Sequence, residues 1–296
     1  MLRWNLTYEF NNTRIDYIKN KTIHELFEEK ASIYPNNIAV ICNDKKLTYN
    51  ELNKRSNSLA RVLRNKGVTA NTIVGIMVPR SIEMIVGIMA ILKSGGAYMP
   101  IDSTLPKYRI EYMLENSGCR ILLSNENLVD NLEFNGHVID IYNDNLYNIE
   151  SDNIEVNNKP SDLAYIIYTF GTTGNTKGVM ITHFNLINFI YSFNKQFKEG
   201  FTPKDNVLSL TNYVFDVSVC EFFVSLLFGC TLVLNDKHKT FDTKEISQLI
   251  ISNNITFTYI PPSLLSYVYD NLKLSKDNLK LNKLLVGVEA IRGKRQ

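Results

Sequence analysis

Leu163-Ala-Tyr-Ile-Ile-Tyr-Thr-Phe-Gly-Thr-Thr-Gly-Asn-Thr-Lys-Gly-Val-Met-Ile-Thr-His183 is the stretch on which the reading of the fold turns. Its first seven residues, and those from Val179 to Thr182, are apolar or β-branched. They read as two strands, and Gly171, Gly174 and Gly178 punctuate a hairpin between them. Glycines let backbone N–H groups converge, threonine hydroxyls add donors, and Lys177 adds a positive charge; together these suit the oxygens of a phosphate. A Walker A loop is excluded, because G-x-x-x-x-G-K-[ST] must lead from a strand into a helix and this loop joins two strands. Taken alone, the pattern fits an ordinary glycine-rich hairpin equally well.

On either side of the hairpin, strands alternate with helices. Upstream, Thr22 with Glu25 and Thr48 with Glu51 are capping-box patterns ahead of helices that stop at Pro35 and Gly67. Residues 38–42 and 46–48 read as strands, and so do 73–78, 97–101 and 120–123, with helices at 81–93 and 106–116 between them. Residues 125–159 are more polar, and only 138–141 are strand-like. Downstream, helices at 184–197, 217–228, 243–252 and 262–269 alternate with strands at 207–210, 231–234, 256–260 and 283–286. This spacing predicts an α/β fold of layered subdomains with mainly parallel sheets covered on both faces. The expected division is a linker or N-terminal arm over 1–21, a first α/β part over 22–160, and the hairpin with a second α/β part over 161–296. No internal sequence repeat is visible.

The bulk composition narrows the function. The 296 residues are 45% hydrophobic and 21% charged, an ordinary globular balance. With 32 basic and 30 acidic residues the net charge is +2, which gives no footprint for nucleic acid or an anionic membrane. Residues 217–234 approach the length of a membrane span, but they contain Glu221 and Gly229 and change from helix-like to β-branched. A buried helix followed by a buried strand is the reading. Cys42, Cys119, Cys220 and Cys230 lie far apart without C-x-x-C spacing, so they read as reduced thiols of a cytoplasmic protein. No metal-ligand spacing is present among the histidines and cysteines. The N-terminus lacks the apolar core of a signal peptide.

Several stretches together resemble the adenylation domains of nonribosomal peptide synthetases, in the superfamily that also holds acyl-CoA synthetases and firefly luciferase. They are Lys21-Thr-Ile-His-Glu-Leu-Phe-Glu-Glu29, Leu47-Thr-Tyr-Asn-Glu-Leu-Asn53, Leu92-Lys-Ser-Gly-Gly-Ala-Tyr-Met-Pro-Ile-Asp102, the hairpin, Phe215-Asp-Val-Ser218 and Leu284-Leu-Val-Gly-Val-Glu-Ala290. The resemblance covers about residues 4–291 and only the N-terminal part of such a domain. It implies ATP-dependent activation of an amino acid to an aminoacyl-adenylate, with ATP and Mg2+ required, and transfer to the phosphopantetheine thiol of a peptidyl carrier protein. By the same resemblance Thr172, Thr173, Gly174 and Lys177 hold phosphates, and Asp216, next to Phe215, pairs with the substrate's ammonium group. Asp216 also reads as a helix N-cap, a role compatible with the first. The presence of Asp216 favours amino acid activation over an acyl-CoA synthetase-like acid ligase. Val217, Cys220, Tyr259, Leu285 and Gly287 are implied as a side-chain pocket for a small or medium aliphatic amino acid, although each also suits an ordinary core. His183 reads as a structural residue opening a helix.

The chain departs from the family's pattern in three ways. Phe170 and Thr176 stand where the family's loop has serine and proline, and loss of one hydroxyl donor at a charge-stabilising site costs on the order of 10²- to 10³-fold in rate. Val288 stands at a family glycine in a turn near the adenine. The segments that in the family carry the adenine-stacking aromatic, the metal-binding glutamate and the catalytic lysine are not in these 296 residues, so no catalytic residue and no metal ligand is assigned. Two expectations follow. The first is part of an amino-acid-activating ligase, with a missing C-terminal half as a partner. The second is an inactive truncated remnant that binds nucleotide weakly or serves as an interaction module, and for the chain alone no amino-acid-dependent exchange of pyrophosphate into ATP is expected.

Overall fold

The computed structural model describes residues 11–169, 176–235, 242–273 and 278–287. Residues 11–21 form no helix or strand. Helix α1 (Ile23–Ile33) then opens on the Thr22–Glu25 capping box, both of whose reciprocal bonds form. A tight hairpin of β1 (Ile38–Cys42) and β2 (Lys45–Thr48) leads through a second capping box, Thr48 with Glu51, into α2 (Tyr49–Asn65). In each box the i to i+3 spacing satisfies two backbone donors that would otherwise be orphaned at the helix start.

Alternation follows as the sequence predicts: β3 (Ile73–Ile76), α3 (Ile82–Ser94), β4 (Ala97–Pro100), α4 (Lys107–Asn116) and β5 (Ile121–Ser124). Next come a one-turn helix α5 (Glu126–Val129), β6 (His137–Asp140) and a 3-10 turn (Asp144–Tyr147). The hairpin β7 (Leu163–Thr169) and β8 (Lys177–Thr182) runs into α6 (His183–Asn194). The rest is β9 (Asn206–Ser209), α7 (Asp216–Phe228), β10 (Thr231–Leu234), α8 (Thr243–Ser252), β11 (Phe257–Tyr259), α9 (Pro262–Leu272) and β12 (Lys283–Leu285). The apolar run 217–234 is thus a buried helix and a buried strand, and among the described residues no helix is long and apolar enough to cross a membrane.

The strands form two six-stranded sheets, ordered β2-β1-β10-β9-β11-β12 and β8-β7-β4-β3-β5-β6. Every pairing is parallel except the two edge hairpins. Each sheet takes its hairpin from the other half of the chain, since β1 pairs with β10 and β7 with β4. Both sheets therefore cross the expected division near residue 160.

Side-chain alternation along the strands explains the layers. Val207, Leu232, Val74, Ile76 and Tyr98 point into one continuous core between the sheets, which also takes the apolar faces of α1, α2, α3, α6 and α7. Their chain neighbours Leu208 and Val233 face outward onto α8 and α9. Met77, Met99 and Leu122 face outward onto α4. Strands buried on both faces in this way must be apolar at nearly every position. Helices α3 and α7 lie in the shared core, buried over almost their whole length. Each fully buried Ile or Leu contributes about 1.5 to 3 kcal/mol. Both helices stop at a glycine in the left-handed region, Gly95 (φ 104°) and Gly229 (φ 81°), where a side chain would be strained. All four cysteines are buried and none is in a disulfide.

Candidate functional site

In open α/β sheets, ligands collect at the carboxyl ends of parallel strands. Here the carboxyl ends of β3, β4, β7 and β9 converge. The connection from β9 to α7, residues 210–215, is tied to the other sheet by its own side chains. The Tyr213 hydroxyl donates to the Ile101 carbonyl (2.8 Å) and accepts from the Val78 N–H (3.2 Å). Asn212 donates to Asp102 (2.9 Å).

That connection delivers Phe215 and Asp216. Helix α7 begins at Asp216, with Phe215 at the N-cap making no side-chain cap bond. The N-cap reading of Asp216 is thereby corrected by one position. The first-turn carboxylate still benefits from the helix dipole, but it caps nothing. It is exposed, and no hydrogen bond or ion pair reaches it from the described residues. Asp216 and Phe215 line a cavity of about 270 Å³ whose other wall is the hairpin, including Tyr165, Ile167, Thr169 and Ile181. Burial, with the Asp216 charge adding to it, pushes the Tyr165 phenol up to about 12. A second cavity of about 190 Å³ shares Phe215 and Tyr168 and extends to Asp102, Arg109 and Thr176. An unpaired carboxylate on the rim of a largely apolar recess suits a ligand with one cationic group and an apolar remainder.

The remaining expected site residues fall into four groups. Lys177 is exposed at the first position of β8, directly across the ladder from Thr169, which itself lines the recess. Thr172, Thr173 and Gly174, like the departures at Phe170 and Val288, lie outside the described residues. Tyr259, Leu285 and Gly287 meet at the ends of β11 and β12, where Tyr259 pairs with Leu285 and donates to the Gly287 carbonyl (3.3 Å). Val217 is half-buried and Cys220 is buried on α7. The cavity lined by Asp216 is walled by the hairpin and not by Cys220, Tyr259, Leu285 or Gly287. Among the described residues no group of three or more His, Cys, Asp or Glu could hold a metal ion, and no step is assigned to Mg2+ here.

Sequence reasoning passed over the groups behind the site. Glu221, fully buried one turn beyond Asp216, accepts from the Ser209 hydroxyl (2.6 Å), the Thr211 hydroxyl (3.0 Å) and the Leu210 N–H (3.3 Å). Arg80, 3% exposed, donates to the Ser209 hydroxyl (2.7 Å) and carbonyl (2.8 Å), to the Asn235 carbonyl (2.8 Å) and to the Thr211 carbonyl. Burial pushes the Glu221 carboxyl up to about 7, against the opposing pull of Arg80 and its hydrogen bonds. The only sequence signal was one carboxylate inside an apolar run. His183 is fully buried as well: Nδ1 accepts from the Ile23 N–H (3.3 Å), which leaves the proton of the neutral ring on Nε2. The Asn158 amide lies 2.9 Å from Nε2, and turning its otherwise unpartnered oxygen toward that N–H satisfies both.

The profile of the AMP-binding enzyme family matches residues 27–295. The chain is 43% identical over 283 residues to gramicidin S synthase 2 of Brevibacillus brevis, covering 96% of this chain and 6% of that protein. It is 42% identical over 259 residues to gramicidin S synthase 1 of the same organism, covering 86% and 23%. Among solved structures, the nonribosomal peptide synthetase FmoA3 in its AMPPNP-bound form superposes with a TM-score of 0.83 at 28% identity, over 91% of this chain and 28% of that one. Its form bound to α-methyl-L-serine-AMP gives 0.82 at 28% identity, over 91% and 30%. The chain spans less than a quarter of the length of either gramicidin relative.

Proposed function

The chain belongs to the family of AMP-binding enzymes and corresponds in sequence and fold to the N-terminal portion of a nonribosomal peptide synthetase adenylation domain; on that premise we propose that it binds an amino acid and ATP for activation to the aminoacyl-adenylate. The observation that carries this reading is the exposed Asp216 carboxylate, unpaired among the described residues, on the rim of an apolar recess. Asp216 takes the ammonium group, the recess beside Phe215 takes the adjoining part of the substrate, and Lys177 with the loop hydroxyls of Thr172 and Thr173 and the N–H of Gly174 takes phosphate oxygens. The side chain lies toward Val217, Cys220, Tyr259, Leu285 and Gly287, whose apolar character suits an aliphatic amino acid. ATP is the co-substrate and Mg2+ accompanies it. The acyl group then passes to a phosphopantetheine thiol on a carrier protein, in the cytoplasm, forming a thioester as the acyl–phosphate bond breaks and AMP leaves.

The test uses aminoacyl-sulfamoyl adenosines, stable mimics of the adenylate, titrated calorimetrically against alanyl, valyl and leucyl versions. Asp216→Asn should weaken the best of them about 100-fold, since one charge-assisted contact contributes about 1.5 to 3 kcal/mol. Affinity for the matching analogue without the amino group should not change. Equal loss for both analogues, or no loss for either, would remove Asp216 as the ammonium partner. Pyrophosphate exchange by these 296 residues alone is expected to be undetectable; robust exchange would overturn the view that further segments supply the catalytic groups.

A further inference from the structure

Asp216 needs more than a place on a helix; it needs a fixed direction. The helix gives it none through a cap, because Phe215 makes no cap bond. The six residues before it, 210–215, form a connection between β9 and α7 without regular structure beyond turns. Free peptide at that point would spread the carboxylate over many orientations and cost a ligand the ordering entropy on binding. The connection is held from beneath by two buried charges on different parts of the fold. Arg80 follows β3 of one sheet and grips the ends of β9 and β10 in the other through the carbonyls of Ser209, Thr211 and Asn235. Glu221, on the same helix as Asp216, grips the start of the connection through Ser209, Leu210 and Thr211. Ser209 joins them, its hydroxyl accepting from Arg80 and donating to Glu221.

We infer that Arg80 and Glu221 are positioning residues that lock the connection 210–215 and so aim Asp216 into the ligand recess; this rests on the reading of Asp216 as the ammonium partner. Two buried groups of opposite sign joined through a hydroxyl are weak support for stability, since apolar replacement of both is often tolerated whereas loss of one leaves the other uncompensated. The arrangement is spent instead on geometry. It clamps the strand ends and the helix start beside the recess.

The double variant Arg80→Met with Glu221→Leu separates positioning from support. Stability is measured by urea denaturation, local order by hydrogen–deuterium exchange, and ligand binding with valyl-sulfamoyl adenosine and its isovaleryl counterpart lacking the amino group. Each single variant should be markedly destabilised, and the double variant should recover most of the loss. In the double variant the amides of residues 210–217 should still exchange at least tenfold faster than in the wild type, with β3, β4 and β5 unchanged. Affinity for the valyl probe should fall at least tenfold and that for the isovaleryl probe should hold. Unchanged exchange at 210–217, exchange that rises equally across both sheets, or valyl affinity that returns with stability would each overturn the inference and leave a merely structural pair. If the double variant does not fold, Ser209→Ala removes the joining hydroxyl while keeping both charges, and should give the same local pattern at about threefold. Unchanged exchange at 210–217 in Ser209→Ala would then overturn the inference. Wild type that fails to distinguish the two probes refutes the Asp216 reading, and the exchange measurement still decides whether the connection is locked.

Discussion

The two sheets are wound to one plan. In each, an edge hairpin feeds a helix through a threonine-led capping box, Thr48 with Glu51 before α2 and Thr182 with Asn185 before α6. The first residue of each helix is a fully buried polar aromatic, Tyr49 or His183. Each also contains a central strand, a 13-residue buried helix ending in a left-handed glycine and a parallel strand: β9-α7-β10 in the first sheet and β3-α3-β4 in the second. The differences at matched positions separate support from function. Helix α3 starts on Ser81, which caps Met84 N–H, whereas α7 starts on Phe215, which caps nothing and stands half exposed at the recess. The sixth residue of α3 is Gly87, where a Cβ would come within 2.7 Å of Ile141 and 2.9 Å of Ile76; the sixth of α7 is the buried Glu221. One copy is optimised for close packing, and the other gives up a cap and accepts a buried carboxyl beside the recess lined by Phe215 and Asp216.

The largest effect expected from this comparison lies at the paired aromatics. Burial holds the His183 imidazole at about 4, below its ordinary 6.5, so the folded state favours the neutral ring. Its contribution to stability is full above pH 6.5 and is lost as pH falls toward 4, about 3 kcal/mol at most. His24, stacked edge-on at 5.7 Å, is lowered in the same direction by burial and by His183. Glu221 runs the opposite way: its carboxyl is raised from 4.5 to about 7, so its contribution is present below pH 4.5 and falls as pH rises to 7. The wild-type profile sums these, so the informative quantity is a difference. The stability advantage of wild type over His183→Gln should shrink by about 3 kcal/mol between pH 6.5 and 4 in urea titrations. Tyr49→Phe, the matched change, orphans the Cys230 carbonyl and should cost about 1 to 3 kcal/mol equally at every pH in that range. A constant His183→Gln difference would break the contrast.

A smaller effect tests the helix starts. Ser81→Ala should cost about 1 kcal/mol in thermal or urea unfolding, the usual loss of a cap. Phe215→Ser should do the reverse, stabilising by about 0.5 to 1 kcal/mol while weakening the sulfamoyl adenosine probes. Destabilisation by Phe215→Ser would mean that the phenyl ring is support rather than a wall of the recess. The smallest effect is at the sixth positions. Gly87→Ala gains about 1 kcal/mol of helix propensity and loses about 1 to 3 kcal/mol to overpacking against two isoleucine side-chain ends, for a net loss near 1 kcal/mol. A net gain would show that α3 has slack over its sheet.

Elements were legible in the sequence where their cause is local. The capping boxes at Thr22 and Thr48 were visible because Glu stands three residues on; the one at Thr182 was passed over because Asn185 fills that place. The α5 turn and the 3-10 turn after β6 were missed because a single turn carries too few residues to show a period. The site divided in the same way. Asp216 and Lys177 stood out by their motifs, but the hairpin wall of the recess, with Tyr165 and Ile181, reads as plain strand until it is folded against Phe215.

The sequence by itself determined the alternation of strands and helices, the hairpin and the family, and it singled out Asp216 and Lys177, because each is written in a few consecutive positions. Only the tertiary structure decided that each sheet borrows its hairpin from the other half, that Asp216 faces the hairpin, and that Arg80 and Glu221 meet through Ser209. Those partners lie more than a hundred residues apart in the chain in the case of Arg80 with Ser209 and Thr211. Their pairing is set by burial, because a charge without water must find its hydrogen bonds wherever the fold brings them.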